Sequence, residues 1–487
     1  MSAPFLDTDI LIVGAGPVGL FLANECARRG LRWQLVETKA SQSEHSKALA
    51  LMPRTMEIFD MAGVAVPFLK AANPVTWLAV VEPSRTVARM HFAPEESPYP
   101  FVAMVPQDVT ERLLVEELRR KGGKVEYQTT FVSATQEESC VRVAVEHEGE
   151  RRNLTSAFVV GCDGAHSSVR HSLNLPFDGQ LYDDSFLLAD IETNGTLPAD
   201  EMQLCPSEFG PLAIFPMSAT RRRVVATVER PETEVPSIEL VRRLLTERGP
   251  KHFEARAIGW SSFFRVHHRQ VAQLRVGRIF VAGDAAHIHS PLGGQGMNTG
   301  LHDVWNLAWK LDLAVRGHGG ETLLDSYSAE RRPVIRSVID LTHRMTRAMG
   351  TPSKLAQAIR DVAIPMLSRV APFQHAMVQR LSQLGVAYSG SPIVEGPGKR
   401  YLDDSLRGGS GIGRRFLLML GKDATPSAAD AAQRLRAQMS AVVELRSTAK
   451  DEVKLVRPDG YVAYENHGRS PERSIAAIGL LVESLTR

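Results

Sequence analysis

The segment that most constrains the fold is DILIVGAGPVGL, residues 9–20 of the 487-residue chain. Its first five residues are a short apolar run, which is typical of a strand buried in a parallel sheet. Glycines follow at Gly14, Gly16 and Gly19, where a helical pattern of apolar residues begins. A second apolar run then ends at Glu37. The order strand, glycine-rich turn, helix, strand and acid predicts a βαβ unit of a Rossmann-like α/β fold.

The same segment predicts a dinucleotide site. Gly14, Gly16 and Gly19 allow a tight turn and let a pyrophosphate approach the backbone, and the helix start at Val18 presents N–H groups to that anion. Glu37 is placed to accept hydrogen bonds from the ribose hydroxyls. An acid suits an unphosphorylated ribose, so FAD and NAD both stay open at this point, and NADP is disfavoured at this position.

Composition narrows the class of protein. The length suggests two or three domains, and 44% hydrophobic with 23% charged residues is the balance of a globular protein. A formal net charge of +2 favours neither nucleic acid nor an anionic membrane as a partner. The four cysteines are far apart and form no CxxC pair, so we expect no disulfide framework and no metal site. Without a signal-peptide pattern or a run of about 18 apolar residues, we expect a cytoplasmic protein.

A second glycine-acid turn follows a predicted strand in residues 157–170, AFVVGCDGAHSSVR. The apolar run ends at the turn that contains Asp163. Ser167 stands where a serine side chain caps the next helix.

A third turn lies in residues 278–300, where RIFVA leads into GDAAHIHSPLGGQGMNTG and Asp284 follows the apolar run. Pro291 stiffens this loop, and its glycines let a large ligand lie against the backbone. A helical pattern over residues 297–313 predicts that the first N–H groups of a helix point at whatever fills the loop.

Together the three segments resemble the fingerprints of the flavoprotein aromatic hydroxylases, the single-component FAD monooxygenases of the para-hydroxybenzoate and phenol hydroxylase type. The resemblance extends over about residues 7–350. It implies a discontinuous FAD-binding domain (residues 1–174 and 276–350) and a mostly antiparallel β-sheet substrate domain (175–275). A helical segment (351–399) and a small α/β module (400–487), similar to a shortened thioredoxin-like module, complete the expected organisation.

The resemblance also implies which residues hold non-covalent FAD. The family often has an arginine where this chain has Lys47, and lysine keeps the charge but loses the bidentate fork. Asp163 is linked in the family to both FAD and the pyridine nucleotide. The implied FAD-binding residues are Gly14, Gly16, Val18, Gly19, Glu37, Lys47, Gln107, Asp163, Asp284, Pro291, Gly294, Gly296, Met297 and Asn298. Because every such motif ends before residue 313, we expect residues after 400 to be dispensable for FAD binding.

The substrate site is less constrained. Apolar residues of the predicted sheet are candidates to line a pocket, with plain core packing as the alternative: Phe209, Leu212, Ile214 and Phe215. Some members of the family hold a phenol with tyrosine or histidine, which makes His45, Tyr182 and His289 candidates. No catalytic base is assigned.

The resemblance implies an FAD-dependent monooxygenase that uses NADH or NADPH and O2 to hydroxylate a phenolic or polycyclic aromatic substrate through a C4a-hydroperoxyflavin. Two alternatives stay open. A flavin-dependent halogenase would carry a WxWxIP motif, and the only nearby candidate, VTWLAV at residues 75–80, lacks it. A non-catalytic FAD-binding scaffold is the other. The expected partners are small molecules, and a homodimer is left open.

Overall fold

The computed structural model describes residues 6–43, 46–193, 197–228, 234–290, 293–349, 366, 370–466 and 468–486. The helices are α1 (Pro17–Arg29), α2 (Pro53–Met61), α3 (Ala65–Ala71), α4 (Gln107–Arg120), α5 (Ser168–Ser172), α6 (Ile238–Arg248), α7 (Gly296–Val315), α8 (Glu321–Met349), α9 (Ala371–Leu381), α10 (Pro426–Gln438) and α11 (Pro471–Thr486). The strands are β1 (Thr8–Val13), β2 (Trp33–Val36), β3 (Ala50–Leu51), β4 (Asn73–Val75), β5 (Trp77–Glu82), β6 (Arg85–His91), β7 (Val102–Met104), β8 (Thr129–Gln136), β9 (Val141–His147), β10 (Glu150–Gly161), β11 (Phe177–Thr193), β12 (Glu201–Cys205), β13 (Leu212–Pro216), β14 (Arg221–Val228), β15 (Ala255–Val271), β16 (Arg275–Val276), β17 (Ile279–Val281), β18 (His287–Ile288), β19 (Phe416–Gly421), β20 (Val443–Thr448), β21 (Val453–Val456) and β22 (Val462–Glu465).

The parallel core that the first motif predicts is present. β1 pairs in parallel with β2 on one side and with β10 on the other, and β10 pairs in parallel with β17. The three strands that precede the glycine-acid turns therefore lie side by side and end at the same edge of the sheet. Nearly every residue of β1 is buried, in a hydrophobic core that contains residues of α1 and α7 together with residues of β8 and β9. The predicted α/β class is confirmed.

A larger mixed sheet stands beside this core, with the strand order β18-β15-β11-β14-β13-β12-β5-β6 within the described residues. Its centre is antiparallel, as predicted for residues 175–275. The predicted boundary nevertheless missed β5 and β6, which come from the first segment, and β18, which follows the last. β5 joins through a parallel pairing with β12. Such a pairing between segments distant in sequence leaves no local pattern.

The helical region differs from its prediction at one proline. Proline usually ends a helix, so the sequence predicts helices over residues 321–385 with breaks near Pro333, Pro352 and Pro365. Helix α8 nevertheless continues through Pro333, from Glu321 to Met349. Tyr327, Arg331 and Ile335 are buried on either side of the proline, so tertiary contacts hold the helix where local preference would end it. The breaks expected near Pro352 and Pro365 lie outside the described residues. No described helix is long and apolar enough to cross a membrane.

The last part of the chain forms a four-stranded sheet in the order β20-β19-β21-β22, with α10 and α11 packed against it. Its first two strands are parallel and the other pairs are antiparallel. We call residues 400–487 the carboxy-terminal unit. Its core includes Trp309 and Leu313 of α7, so the unit shares a hydrophobic core with the amino-terminal part. The thioredoxin-like comparison stays a prediction.

Candidate functional site

In the first glycine-rich turn, two positions must be glycine because a side chain there would collide with other atoms of the protein. Gly14 has φ +100°, and a Cβ there would lie 2.5 Å from the carbonyl oxygen of Cys162. A Cβ on Gly19 would lie 1.9 Å from the carbonyl oxygen of Gly14. Gly16 is different, because a Cβ there would meet nothing within 4 Å. The turn is therefore packed against β10 on one side and faces open space at Gly16.

Helix α1 begins at this open side. Gly16 is its N-cap residue, and the first hydrogen bond runs from Leu20 N–H to Gly16 O at 3.0 Å. Pro17 has no N–H, which leaves the N–H groups of Val18 and Gly19 to face the space. The side chain of Val18 points the other way, toward Gly283. Only the backbone of Val18 is thus available to a ligand, and that backbone suits an anion.

Glu37 lies directly behind the turn. One carboxylate oxygen accepts a hydrogen bond from Ala15 N–H at 2.7 Å, and the other accepts one from Lys39 N–H at 3.0 Å. Each carboxylate oxygen can accept a second hydrogen bond. The acid is therefore fixed in position with capacity left for hydroxyl groups such as those of a ribose.

Asp284 lies in a single turn of 3₁₀ helix, Gly283–Ala285, that follows β17. Its side chain is exposed and has no hydrogen-bond or ion-pair partner among the described residues. Protein nevertheless surrounds the carboxylate closely enough that burial raises its pKa, against the opposing charges of His287 and Lys47. The carboxylate of Asp284 is thus open to solvent and at the same time closely surrounded by protein, which places it in a recess of the surface. Lys47, also exposed, acts on the same recess.

The third loop ends in a second free helix start. Gln295 is the N-cap of α7, and the first hydrogen bond runs from Thr299 N–H to Gln295 O at 2.9 Å. The N–H groups of Gly296, Met297 and Asn298 therefore form the open first turn. The predicted start at residue 297 is thus correct to one residue.

The side chain of Asn298 is occupied within the protein. It accepts a hydrogen bond from Met52 N–H at 2.8 Å and donates to the carbonyls of Ala50 and Gly294 at 2.8 and 2.7 Å. Gly294 has φ +63°, and a Cβ there would lie 3.1 Å from the Cβ of Ala50. This amide fixes the glycine loop against β3. Pro291 lies outside the described residues.

Two other residues predicted to bind the cofactor make hydrogen bonds that fix neighbouring segments of the protein. Gln107 opens α4, accepts a hydrogen bond from Ala48 N–H at 3.1 Å and donates to Glu111 at 2.9 Å. Asp163 accepts hydrogen bonds from Ser167 Oγ at 2.5 Å and from a backbone N–H of α5, and burial raises its pKa. Ser167 caps α5 as predicted. Contact of Gln107 and Asp163 with a cofactor stays a prediction.

One buried residue that the sequence did not point to holds the site together. Arg223 of β14 makes two hydrogen bonds to Asp190, at 2.6 and 2.8 Å, and donates to the carbonyls of Lys47 and Ala48 at 3.1 Å each. It therefore ties the mixed sheet to the segment that carries Lys47. Its position in the run RRRVVATV resembles an ordinary strand arginine, so only the fold reveals this role.

The packing of β13 corrects most of the predicted substrate residues. Leu212 and Ile214 are buried against α6, on the face of the sheet away from the glycine loop. Phe209 lies in the preceding turn and is 65% exposed. Phe215 is on the opposite face, beside apolar residues of β3 and α9. Alternation along the strand therefore leaves Phe215 as the one member of the set that faces the recess side.

Of the three residues predicted as candidates to hold a phenol, the structure fully describes only His289. His45 and the side chain of Tyr182 lie outside the described part. Nδ1 of His289 bonds the carbonyl of Ser290 at 3.0 Å, and its Nε2 has no hydrogen-bond partner in the part of the chain that the structure describes. The ring lies beside Gly296. Burial lowers the pKa of His289 to about 4, so the ring is neutral at pH 7.

These features define a class of protein. Two helix N-termini, an acid placed for a ribose and a recess that carries Asp284 and Lys47 are arranged along the edge where β1, β10 and β17 end. The free N–H groups of α1 suit a pyrophosphate, and those of α7 suit a second polar group farther along the ligand. Open space at Gly16 and the partner-free carboxylate of Asp284 fit a bound dinucleotide. The arrangement is that of a dinucleotide-binding enzyme with a mixed sheet beside the cofactor.

Comparison with known proteins identifies the family. Residues 7–342 match the family described as "FAD binding domain". A 6-methylpretetramide 4-monooxygenase of Streptomyces rimosus is 34% identical over 80% of this chain and 71% of its own length. A rifampicin monooxygenase of Streptomyces venezuelae is 31% identical over 94% and 95%. The solved structure of the OxyS anhydrotetracycline hydroxylase from Streptomyces rimosus covers 98% of this chain and 99% of its own, with a TM-score of 0.80 and 28% identity. The chain belongs to the family of FAD-dependent aromatic monooxygenases.

Proposed function

We propose that this chain hydroxylates a phenolic, polycyclic aromatic substrate, with NAD(P)H as the reductant and O2 as the oxidant. When bound, FAD supplies the transfer of electrons from NAD(P)H to O2 and the delivery of one oxygen atom to the ring, the other leaving as water. The observation that carries the proposal is the pair of free helix starts, α1 and α7, on either side of Asp284. The substrate class is proposed from the relatives, which are named for 6-methylpretetramide and for rifampicin.

The residues of this chain would divide the work of binding. The N–H groups of Val18 and Gly19 would hold the pyrophosphate, and Glu37 the ribose. Asp284 would accept a hydrogen bond from a hydroxyl of the chain between pyrophosphate and ring, and Lys47 would balance nearby negative charge. The first turn of α7 would stabilise negative charge on the ring system.

Substrate orientation falls to the mixed sheet and to the loop. Phe215 and its apolar neighbours would exclude water from the reacting face, which protects the oxygen-transfer step from wasteful peroxide formation. A phenol activates its own ring carbons toward an electrophilic oxygen. No carboxylate pair or triad is therefore required.

The test is a comparison of NADH and NADPH oxidation by the FAD-loaded protein with and without aromatic substrates, using anhydrotetracycline and simple phenols as probes. We expect the fused-ring phenol to accelerate oxidation of one nicotinamide and to gain one oxygen atom from isotopically labelled O2. A product that gains halide in the presence of chloride would instead favour the halogenase alternative. Oxidation that no aromatic compound stimulates would contradict the proposal and favour a scaffold.

A further inference from the structure

A tight turn of the carboxy-terminal unit is buried against the helices of the FAD-binding part. Residues 457–460, Arg-Pro-Asp-Gly, join β21 to β22, and we call them the RPDG turn. Gly460 N–H donates to Arg457 O at 2.9 Å, and Gly460 has φ +78°. Arg457 and Asp459 are both completely buried. Charged residues reach this degree of burial only when other groups compensate them.

The groups that compensate these charges come both from the turn itself and from helices α7 and α8. Arg457 makes two hydrogen bonds to Glu330 of α8, at 2.6 and 2.9 Å, and two to Asp459, at 3.0 and 2.6 Å. Lys310 of α7 donates to Glu330 at 2.8 Å. Trp305 of α7 donates to the carbonyl of Asp459 at 3.0 Å. Two cations and two carboxylates thus form a neutral cluster that includes α7, α8 and the RPDG turn.

A second set of contacts continues from this cluster to the loop that carries Asp284. Arg331, which follows Glu330 in α8, donates to Asp303 at 2.7 Å and to the carbonyl of Thr299 at 3.2 Å. Asp303 accepts the N–H of Gly283 at 3.2 Å and pairs with His287 at 2.7 Å. Thr299 and Asp303 are the fourth and the eighth residue of α7. The contacts therefore fix both the Gly283–Ala285 turn and the open start of α7.

Aromatic contacts join the two sets. The guanidinium of Arg457 lies 4.9 Å from the ring centre of Tyr388, and the hydroxyl of Tyr388 accepts a hydrogen bond from Arg331 at 3.1 Å. Tyr388 also packs on Tyr461, just after the RPDG turn, with ring centres 4.5 Å apart. A displacement of Arg457 would therefore change the position of Arg331, both through α8 and through the ring of Tyr388.

We propose that Arg457 is a positioning residue for the FAD site. By holding α8 and α7 together it sets the place of Asp284 and the direction of the free N–H groups of Gly296, Met297 and Asn298. The carboxy-terminal unit is then part of the machinery that binds FAD, contrary to the expectation that residues after 400 are dispensable. The inference rests on the proposed function only in that FAD occupies the recess.

The experiment compares four variants of the full chain. Arg457→Met removes the cation and leaves the carboxylates in excess. Glu330→Gln with Arg457→Met removes one charge of each sign and keeps the cluster neutral, so its fold is protected from an uncompensated charge. Arg446→Met is the matched control, because Arg446 lies in the same unit, pairs with Glu444 at 2.7 Å and is partly exposed.

The readouts are the Kd of the apoprotein for FAD, the visible circular dichroism of bound FAD, and thermal unfolding. Both Arg457 variants are expected to raise the Kd by about 5- to 150-fold, a usual range for coupling between distant sites. They are also expected to alter the visible spectrum, which reports the surroundings of the ring and which a purely structural role would not move. Arg446→Met is expected to change neither.

Arg457→Lys keeps the charge but loses the bidentate fork, so it is expected to fold and to show an intermediate Kd. This variant decides the matter where the methionine variants fail to fold. A wild-type Kd and spectrum in the neutral double variant, or in Arg457→Lys where the others do not fold, would overturn the proposal. Since binding is measured and not turnover, a chain that shows the expected Kd changes but never hydroxylates refutes only the proposed function.

Discussion

Gly296→Ala is the sharpest test of how the third loop works. Gly296 is the first residue of α7, and a Cβ there would find its nearest protein atom, Cε1 of His289, at 3.7 Å, an ordinary contact. Alanine is preferred to glycine in helices by up to about 1 kcal/mol, so we expect the FAD-free variant to unfold at the same temperature or higher. Any loss of FAD affinity or of hydroxylation must then come from the contact between this residue and FAD. A ring displaced by about 1 Å costs roughly 100-fold in rate.

The assay measures the FAD Kd and the ratio of hydroxylated product to NAD(P)H consumed, with hydrogen peroxide measured alongside. We expect weaker FAD binding and more peroxide. Gly413→Ala is the matched control, because a Cβ there likewise makes no close contact, with nothing within 4 Å, and the residue lies in the loop before β19 of the carboxy-terminal unit. Gly294→Ala is a different case, since its φ of +63° adds a steric cost of about 1–2 kcal/mol to folding itself. Wild-type coupling and affinity in Gly296→Ala would refute the contact between loop and ring.

Five further outcomes are expected. Gly16→Ala should weaken FAD binding without lowering the unfolding temperature, whereas Gly14→Ala should lower it, because only the second Cβ meets the protein. Asp284→Asn should weaken FAD binding by about one to two powers of ten. Burial raises the pKa of Asp284, so this group makes the FAD-free fold less stable as pH rises above about 4, and titrated melts of the asparagine variant should lack that fall. Arg223→Met should lower stability by about 3–5 kcal/mol, because Asp190 is left buried and unpaired, whereas the exposed Arg221→Met on the same strand should change it little. Acid precipitation should release FAD from the polypeptide, and retained flavin would contradict non-covalent binding.

Local signals predicted the parts of the site that are built locally. Gly16 at the start of α1 and Ser167 at the start of α5 each act within a few residues of their own position. The start of α7 was predicted to one residue for the same reason, because a helical pattern and a preceding glycine loop are visible in the sequence.

Contacts between distant segments were not predictable in this way. Arg223 meets Lys47 across 176 positions, and Arg457 meets Glu330 across 127. Arg222 and Arg223 are both buried, and nothing in the run RRRVVATV marks Arg223 as the one that meets Asp190 and Lys47. The error at β13 has a related cause, since the sequence shows which residues alternate but not which face of the sheet a helix will cover. Leu212 and Ile214 were therefore assigned to the wrong side.

The order of these segments along the chain governs when the cofactor site can form during synthesis. β1 and β10 can pair once residue 161 has left the ribosome, but β17 begins at residue 279 and the RPDG turn at residue 457. Contacts between distant segments form late, because the entropy of the intervening chain must first be lost. With Arg457 acting as inferred, the pair of Glu330 and Lys310 lacks its partner Arg457 in a nascent chain that has not yet formed the RPDG turn. Helix α7 is then not held in place, and the chain binds FAD weakly. Loading of the flavin is thus a step that follows translation of the carboxy-terminal unit, and pulse-labelled ribosome-bound chains should retain little of it.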